Sequence, residues 1–364
     1  MVLSKTIRIE QMKTVKKSLK KLDSISPSRY SSMQRCSYRA VLANTYGKPL
    51  LPYPPNSHLG NVIHECICLI LTKQIQDEIA FNAVWEKLIK KEEAALQEMG
   101  FEFLTPLKKS VKKGYAIKKL QVKSLIYSRN NQKKDKQKKH IVYDHERWMK
   151  SDDGLIVGRA DLITEKGEYG KITDFKSGRI VEEEGDIKEK FEDQMKLYAY
   201  LYNEENGVFP DELSIIDLSQ NEYSVEFSKE ECILLAKEAK AILEETNQRI
   251  GLNQIDELAK PSHENCEFCL YKPACHYYWE LGENTDSYYA NIVGELSNTR
   301  QFLNGDVSAT INVGNYDIVV SHFKENMLDE LNEYLETKIE VFNILKSDSP
   351  DRFKASKMTK IYEK

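Results

Sequence analysis

At 364 residues, with 41% apolar and 30% charged side chains, the chain has the composition of a globular, soluble protein of one large or two ordinary domains. No apolar run approaches the length of a membrane span, which argues against a membrane-embedded protein. The net charge of -4 rules out a uniformly basic surface, so any attraction to nucleic acid must come from local patches.

In chain order, residues 5–21 are basic, with Lys13, Lys16, Lys17, Lys20 and Lys21 clustered before a turn at 24–28. Cys36 follows in the polar stretch 31–39. Residues 62–71 read as a mostly buried apolar helix that leaves His64 as a polar group in need of a partner. Cys66 and Cys68 on that helix read as small hydrophobes. A dense lysine run covers 108–139, and its middle, residues 128–137, reads as a mobile loop. It is either a solvated charged surface or a grip for phosphates.

Residues 155–158 form a short β-forming run, 164–168 a polar break with a glycine, and 170–175 a second extended run, so a hairpin is expected. It brings together Gly158, Asp161, Asp174 and Lys176. Asp174 and Lys176 lie two apart and share a strand face. Two carboxylates on neighbouring strands suit Mg²⁺ or Mn²⁺, and the lysine can orient or deprotonate a water attacking a phosphodiester. The alternative is a surface hairpin with an Asp–Lys pair. The acidic run 181–186 reads as a solvated loop. Residues 193–201 are helical in type, with Gln194 and Tyr198 four apart on one face. Cys232 sits on a further apolar helix face.

Cys266, Cys269 and Cys275 are spaced Cys-x2-Cys-x5-Cys, which asks for a metal and a fourth ligand. Candidates for the fourth are Cys36, Cys66, Cys68, Cys232, His263 and His276. With no signal peptide at the start, a reducing, cytoplasmic compartment is expected and disulfides are not. Four thiolates suit both zinc and iron–sulphur, and one distant plus three clustered cysteines favours iron–sulphur. Residues 279–287 read as a linker. After it come strands at 290–296, 307–313 and 316–323, a helix at 325–334, and strands at 339–345 and 353–362. That order matches an OB-fold, used for single-stranded nucleic acid, oligomerisation or partner docking.

Taken together, His64, Gly158 to Asp161, Asp174 to Lys176, and Gln194 to Tyr198 resemble, in order, the motifs of the PD-(D/E)XK nuclease superfamily. The branch they resemble is RecB-like, that of the CRISPR-associated iron–sulphur exonuclease and the AddB subunit of the bacterial helicase–nuclease. The resemblance implies an α/β restriction-endonuclease-like core, a central mixed sheet flanked by helices, over residues 1–280; the OB-like barrel at 288–364, read from its strand order, is additional to that core. It implies that His64, Asp161, Asp174 and the Phe175 carbonyl hold Mg²⁺ or Mn²⁺, that Lys176 is the catalytic lysine, and that Gln194 and Tyr198 contact the DNA backbone or support the site. It also implies a 4Fe-4S cluster on Cys36, Cys266, Cys269 and Cys275. The activity implied is cleavage of single-stranded or end-containing DNA in repair, CRISPR adaptation or phage defence, with a helicase or other defence subunit as partner. The rival reading is a non-catalytic DNA-binding scaffold subunit. No Walker A sequence is present, so the chain carries no helicase motor.

Overall fold

The computed structural model describes residues 17–131, 142–282 and 287–364. Lys13, Lys16, the lysines from 133 to 139 and residues 283–286 of the expected linker lie outside them. Contacts divide the chain into two units, one made of Leu19–Asn44 with Tyr53–Lys260, the other of Thr45–Pro52 with Pro261–Lys364 and the N-terminal residues 17 and 18.

The first unit opens with α1 (Pro27–Tyr46), two helical pieces joined by a kink at Cys36, whose backbone is extended. Next come α2 (Pro55–Leu71), α3 (Glu78–Glu98), α4 (Leu107–Val111) and α5 (Lys113–Asn131). Strands β1 (Val142–Lys150), β2 (Val157–Lys166) and β3 (Tyr169–Lys176) follow, then α6 (Glu189–Asn206), β4 (Glu212–Asp217), β5 (Glu222–Ser224) and α7 (Lys229–Gly251). The sheet order is β1-β2-β3-β4-β5, with β3 and β4 parallel and the other neighbours antiparallel. A parallel pair cannot be joined by a tight turn, and α6 supplies the crossover.

Each framing helix has a local reason to start or stop. Helix α6 carries Glu189 and Glu192 in its first turn, where they favour the positive end of the helix dipole, and ends on Gly207 at φ 72. Helix α7 opens on a capping box: the Ser228 hydroxyl accepts from the Glu231 amide at 3.2 Å and Glu231 Oε2 accepts from the Ser228 amide at 2.7 Å. The core joins Ile25, Tyr30, Met33 and Ile156 to Ala160 and Ile163 of β2, Ile172 of β3, Leu197 and Leu201 of α6, and Ala236 and Leu243 of α7. It is the α/β core with a mixed, helix-flanked sheet that the motif order implied.

Helix α5 differs from expectation over residues 128–131, which are helical rather than looped, and residues 132–137 of the expected loop lie outside the described residues. Tyr115, Val122 and Ile126 are buried at helical spacing beneath its charged surface. Strand β1 also went unforeseen, because Asp144, His145, Glu146 and Arg147 interrupt any apolar alternation.

The second unit holds the cysteine segment, with α8 (His263–Glu267), and a barrel of β6 (Tyr289–Gln301), β7 (Val307–Val313), β8 (Tyr316–Phe323), α9 (Leu328–Glu333), β9 (Lys338–Lys346), β10 (Arg352–Lys354) and β11 (Lys360–Glu363). The ladder runs β10-β8-β7-β6-β9 and closes because β10 also pairs with β9. Five strands therefore form a closed barrel, with β8 and β10 parallel, as in an OB-fold. The final strand, expected as one piece, is broken into β10 and β11, which pair with successive stretches of β9. Between them the Ser356 amide donates to Thr359 Oγ1 at 2.8 Å and the Met358 amide to Ser356 Oγ at 3.0 Å, a local turn that outcompetes the ladder.

Candidate active site

Antiparallel pairing of β2 and β3 fixes the site. The last paired residues are Leu162 and Thr173, so one step further along the same register sets Asp161 opposite Asp174. Facing residues on an antiparallel pair share a side of the sheet. Asp174 is buried, 3% exposed, and Lys176 Nζ stands 2.8 Å from its Oδ2. Gln194 on the first turns of α6 ties the two together: its Nε2 donates to Asp174 Oδ1 at 3.0 Å and its Oε1 accepts from Lys176 at 3.1 Å. The Lys176 ammonium also lies 5.0 Å from the centre of the Phe191 ring.

Asp161 is held from two sides. The Phe175 amide donates to its Oδ2 at 2.8 Å, and Nδ1 of His64, on α2, lies 3.4 Å from the same oxygen. The Cys68 thiol, one turn along α2, reaches the Asp161 carbonyl at 3.4 Å. Tyr198, one turn after Gln194 on α6, donates its hydroxyl to the Arg159 carbonyl at 2.8 Å, fixing the backbone two residues from Asp161. Gly158 has a steric reason as well: a Cβ there would lie 2.8 Å from Pro27 Cδ and 2.9 Å from Tyr198 Cε1.

The two carboxylates are electrostatically unequal. Burial pushes Asp174 up to about 6, with the Asp161 charge adding to the rise and Lys176 opposing it. Burial also raises Asp161, but the His64 ring, the Phe175 amide and Lys176 outweigh it and hold the carboxyl below its ordinary range. Tyr198 is pushed above the ordinary tyrosine range by burial and then by Asp174.

His64, Asp161, Asp174, Phe175, Lys176, Gln194 and Tyr198 thus share one site. The four cysteines read as cluster ligands do not share one unit: Cys36 lies at the kink of α1 in the first, and Cys266, Cys269 and Cys275 lie in the second. All four are half-buried, whereas Cys66, Cys68 and Cys232 are fully buried. Burial pushes the thiols of Cys66 and Cys232 up to about 12 and also raises Cys68, as befits inert hydrophobes. Cys266 and Cys269 both act on Tyr278, whose hydroxyl is pushed up to about 12 by burial first. Among the described residues no three His, Cys, Asp or Glu side chains converge closely enough to hold a metal ion.

A sequence model of the PD-(D/E)XK nuclease superfamily matches residues 24–276. The chain belongs to that superfamily. It is therefore a metal-dependent nuclease, and divalent ions such as Mg²⁺ or Mn²⁺ are the metals its family uses. No curated protein matches the sequence. Among solved structures, the nuclease is similar to SSO0001 at 13% identity, covering 71% of this chain and 88% of that one with a TM-score of 0.27. A second, described as "Structural mimicry for functional antagonism", shares 10% identity over 63% of this chain and 98% of that one, with a TM-score of 0.18.

The Asp161 and Asp174 oxygens are donors of the kind a hard divalent cation takes, although among the described residues no third His, Cys, Asp or Glu is gathered with them at metal-binding distance. Asp174 Oδ2 is buried against the Lys176 ammonium, whose Nζ stands 2.8 Å away. A buried carboxylate facing a second carboxylate on the adjacent strand is the kind of oxygen-donor pair that a Mg²⁺ or Mn²⁺ ion would take. The sequence did not point to Glu146 or Trp148 on β1, which lie across from Asp161 and Arg159. The signal for them would have been β1 itself.

Proposed function

We propose that the nuclease is a RecB-like deoxyribonuclease that cuts single-stranded or end-containing DNA as an exonuclease. The observation that carries this is the Asp161, Asp174 and Lys176 group, with Lys176 Nζ 2.8 Å from the buried Asp174 carboxylate. His64, Asp161, Asp174 and the Phe175 carbonyl would hold Mg²⁺ or Mn²⁺. When bound, the ion supplies Lewis-acid stabilisation of the phosphate and lowers the proton affinity of a water.

The chain's own residues do the rest. Gln194 bridges Asp174 and Lys176, so the ammonium is held beside the carboxylate rather than left to sample rotamers. From there Lys176 orients the attacking water or stabilises charge building on the phosphate oxygens. The His64 ring and the Phe175 amide keep Asp161 ionised, as a cation ligand must be. Tyr198 pins the β2 backbone through the Arg159 carbonyl.

In the same reading residues 1–280 are the nuclease domain, Cys36, Cys266, Cys269 and Cys275 hold a structural 4Fe-4S cluster, and the barrel at 288–364 engages a single strand or a partner such as a helicase subunit. The half-buried state of these four cysteines, against the complete burial of the other three, supports that choice.

An anaerobic assay on end-labelled linear and on circular DNA with Mg²⁺ or Mn²⁺ tests the proposal. Cleavage of linear but not circular substrate is expected. Asp174→Ala or Lys176→Ala should lose roughly 10²-fold or more of the rate while DNA binding persists. Cutting at wild-type rate by both variants would remove the site assignment, and binding without metal-dependent products would leave a scaffold subunit.

A further inference from the structure

Beside the carboxylates, β1 and β2 carry an exposed aromatic and a guanidinium that the chemistry above does not use. Trp148 is 67% exposed, whereas Trp85 is fully buried and Trp279 half-buried. Trp148 pairs in register with Arg159, and the Arg159 guanidinium lies 5.8 Å from the centre of its ring. Arg159 is also tied to Glu146, whose Oε2 lies 3.4 Å from Nη1. Glu146 falls between the pairs His145–Leu162 and Arg147–Ala160, which sets it across from Asp161, and its φ is 54. A left-handed glutamate within a strand is strained by ~1 kcal/mol or more, and such outliers cluster at functional sites.

The face opens stepwise toward this pair. Ile163 is fully buried, the Asp161 side chain is 24% exposed and that of Arg159 49%. Arg159 and Asp161 are two residues apart on one strand face, a separation of about 7 Å, close to the length of one nucleotide. Their backbone is fixed by the Tyr198 hydrogen bond to the Arg159 carbonyl.

We infer that Trp148 and Arg159 form a stacking platform for an unpaired nucleobase next to the scissile phosphate, and so select single-stranded over duplex substrate. This rests on the nuclease reading of the neighbouring carboxylates and adds the substrate form. An indole and a guanidinium offer flat faces that any base can stack on, but only when the base is free of its own duplex. Glu146 anchors the guanidinium at the ring instead of leaving it to sweep solvent, and Glu146 is a positioning residue in this sense.

The test separates binding from cleavage. In Lys176→Ala protein, an oligothymidylate should quench tryptophan fluorescence, and adding Trp148→Ala should raise its Kd by about 10-fold or more. Trp148→Phe keeps an aromatic face and should stay within about 3-fold. An oligonucleotide with abasic positions should bind the Trp148 protein as weakly as oligothymidylate binds Trp148→Ala, and hairpin duplex should be indifferent to the substitution. Equal binding of oligothymidylate and abasic strand, or equal weakening of single strand and duplex in Trp148→Ala, overturns the platform. If Trp148-dependent binding holds but protein with Lys176 intact cuts nothing, the nuclease reading fails and the platform stands. If Trp148→Ala cuts single strands with unchanged KM, the platform fails and the nuclease reading stands.

Discussion

In the proposed role Asp174 would have to be ionised to hold a cation, yet it lies where ionisation is penalised. Its carboxyl is pushed from an ordinary 3.8 to about 6, chiefly by burial. In metal-free protein, therefore, the unfolded chain releases this proton at lower pH than the folded one. Stability falls as pH rises from about 4 to about 6, because the folded state binds more protons across that window. Asp174→Asn removes the penalty and should unfold at higher temperature than wild type at pH 7, by about 3 °C for each kcal/mol recovered, with the difference gone below pH 4. Thermal unfolding of the two apo proteins checks this, and equal transitions at pH 7 would contradict it. At this scale Asp161, Asp174, Lys176, Gln194 and His64, singled out by type and spacing along the chain, are brought together by the fold. The sequence could not show why position 158 is glycine, since Pro27, which would clash with a side chain there, lies far upstream.

Helix α2, the β2–β3 hairpin and helix α6 were legible because apolar helix-forming and β-forming runs, bounded by turn residues, build them. Strand β1 and helix α5 were hidden by charge. Arg147 lies within 4 Å of Asp144, Glu165 and Glu205, so a strand that reads as polar sequence is paired in three dimensions. The break between β10 and β11 was hidden by hydroxyls that serve a turn as readily as a strand. The cysteines also sort by element. Those on α2 and α7 are packed into cores, while Cys36 interrupts α1 and the other three sit in short turns and single helical turns. Anaerobically purified protein is expected to be brown, with about four irons per chain. Cys266→Ser should lose the iron and lower the unfolding temperature, because ligand binding energy is folding energy at such a site. Zinc in place of iron on elemental analysis would overturn the cluster assignment.

For the whole molecule, the motif order and the family match over residues 24–276 agree on a nuclease core, and the closed five-stranded barrel follows it in the chain. Among the described residues no helix is long and apolar enough to cross a membrane. The architecture was readable because element order limits how strands can pair. The substrate was not, because it depends on side chains such as Trp148 and Arg159 whose proximity exists only after folding. The central claim is that Asp161 and Asp174 hold the cation while Lys176 acts on the reaction. Calorimetric titration of Mn²⁺ into wild-type, Asp174→Ala and Lys176→Ala proteins, with cleavage measured on the same samples, tests it most directly. Wild type and Lys176→Ala should bind Mn²⁺, Asp174→Ala should not, and only wild type should cut DNA. Mn²⁺ binding by Asp174→Ala at wild-type affinity, or cutting by Lys176→Ala at wild-type rate, would contradict it.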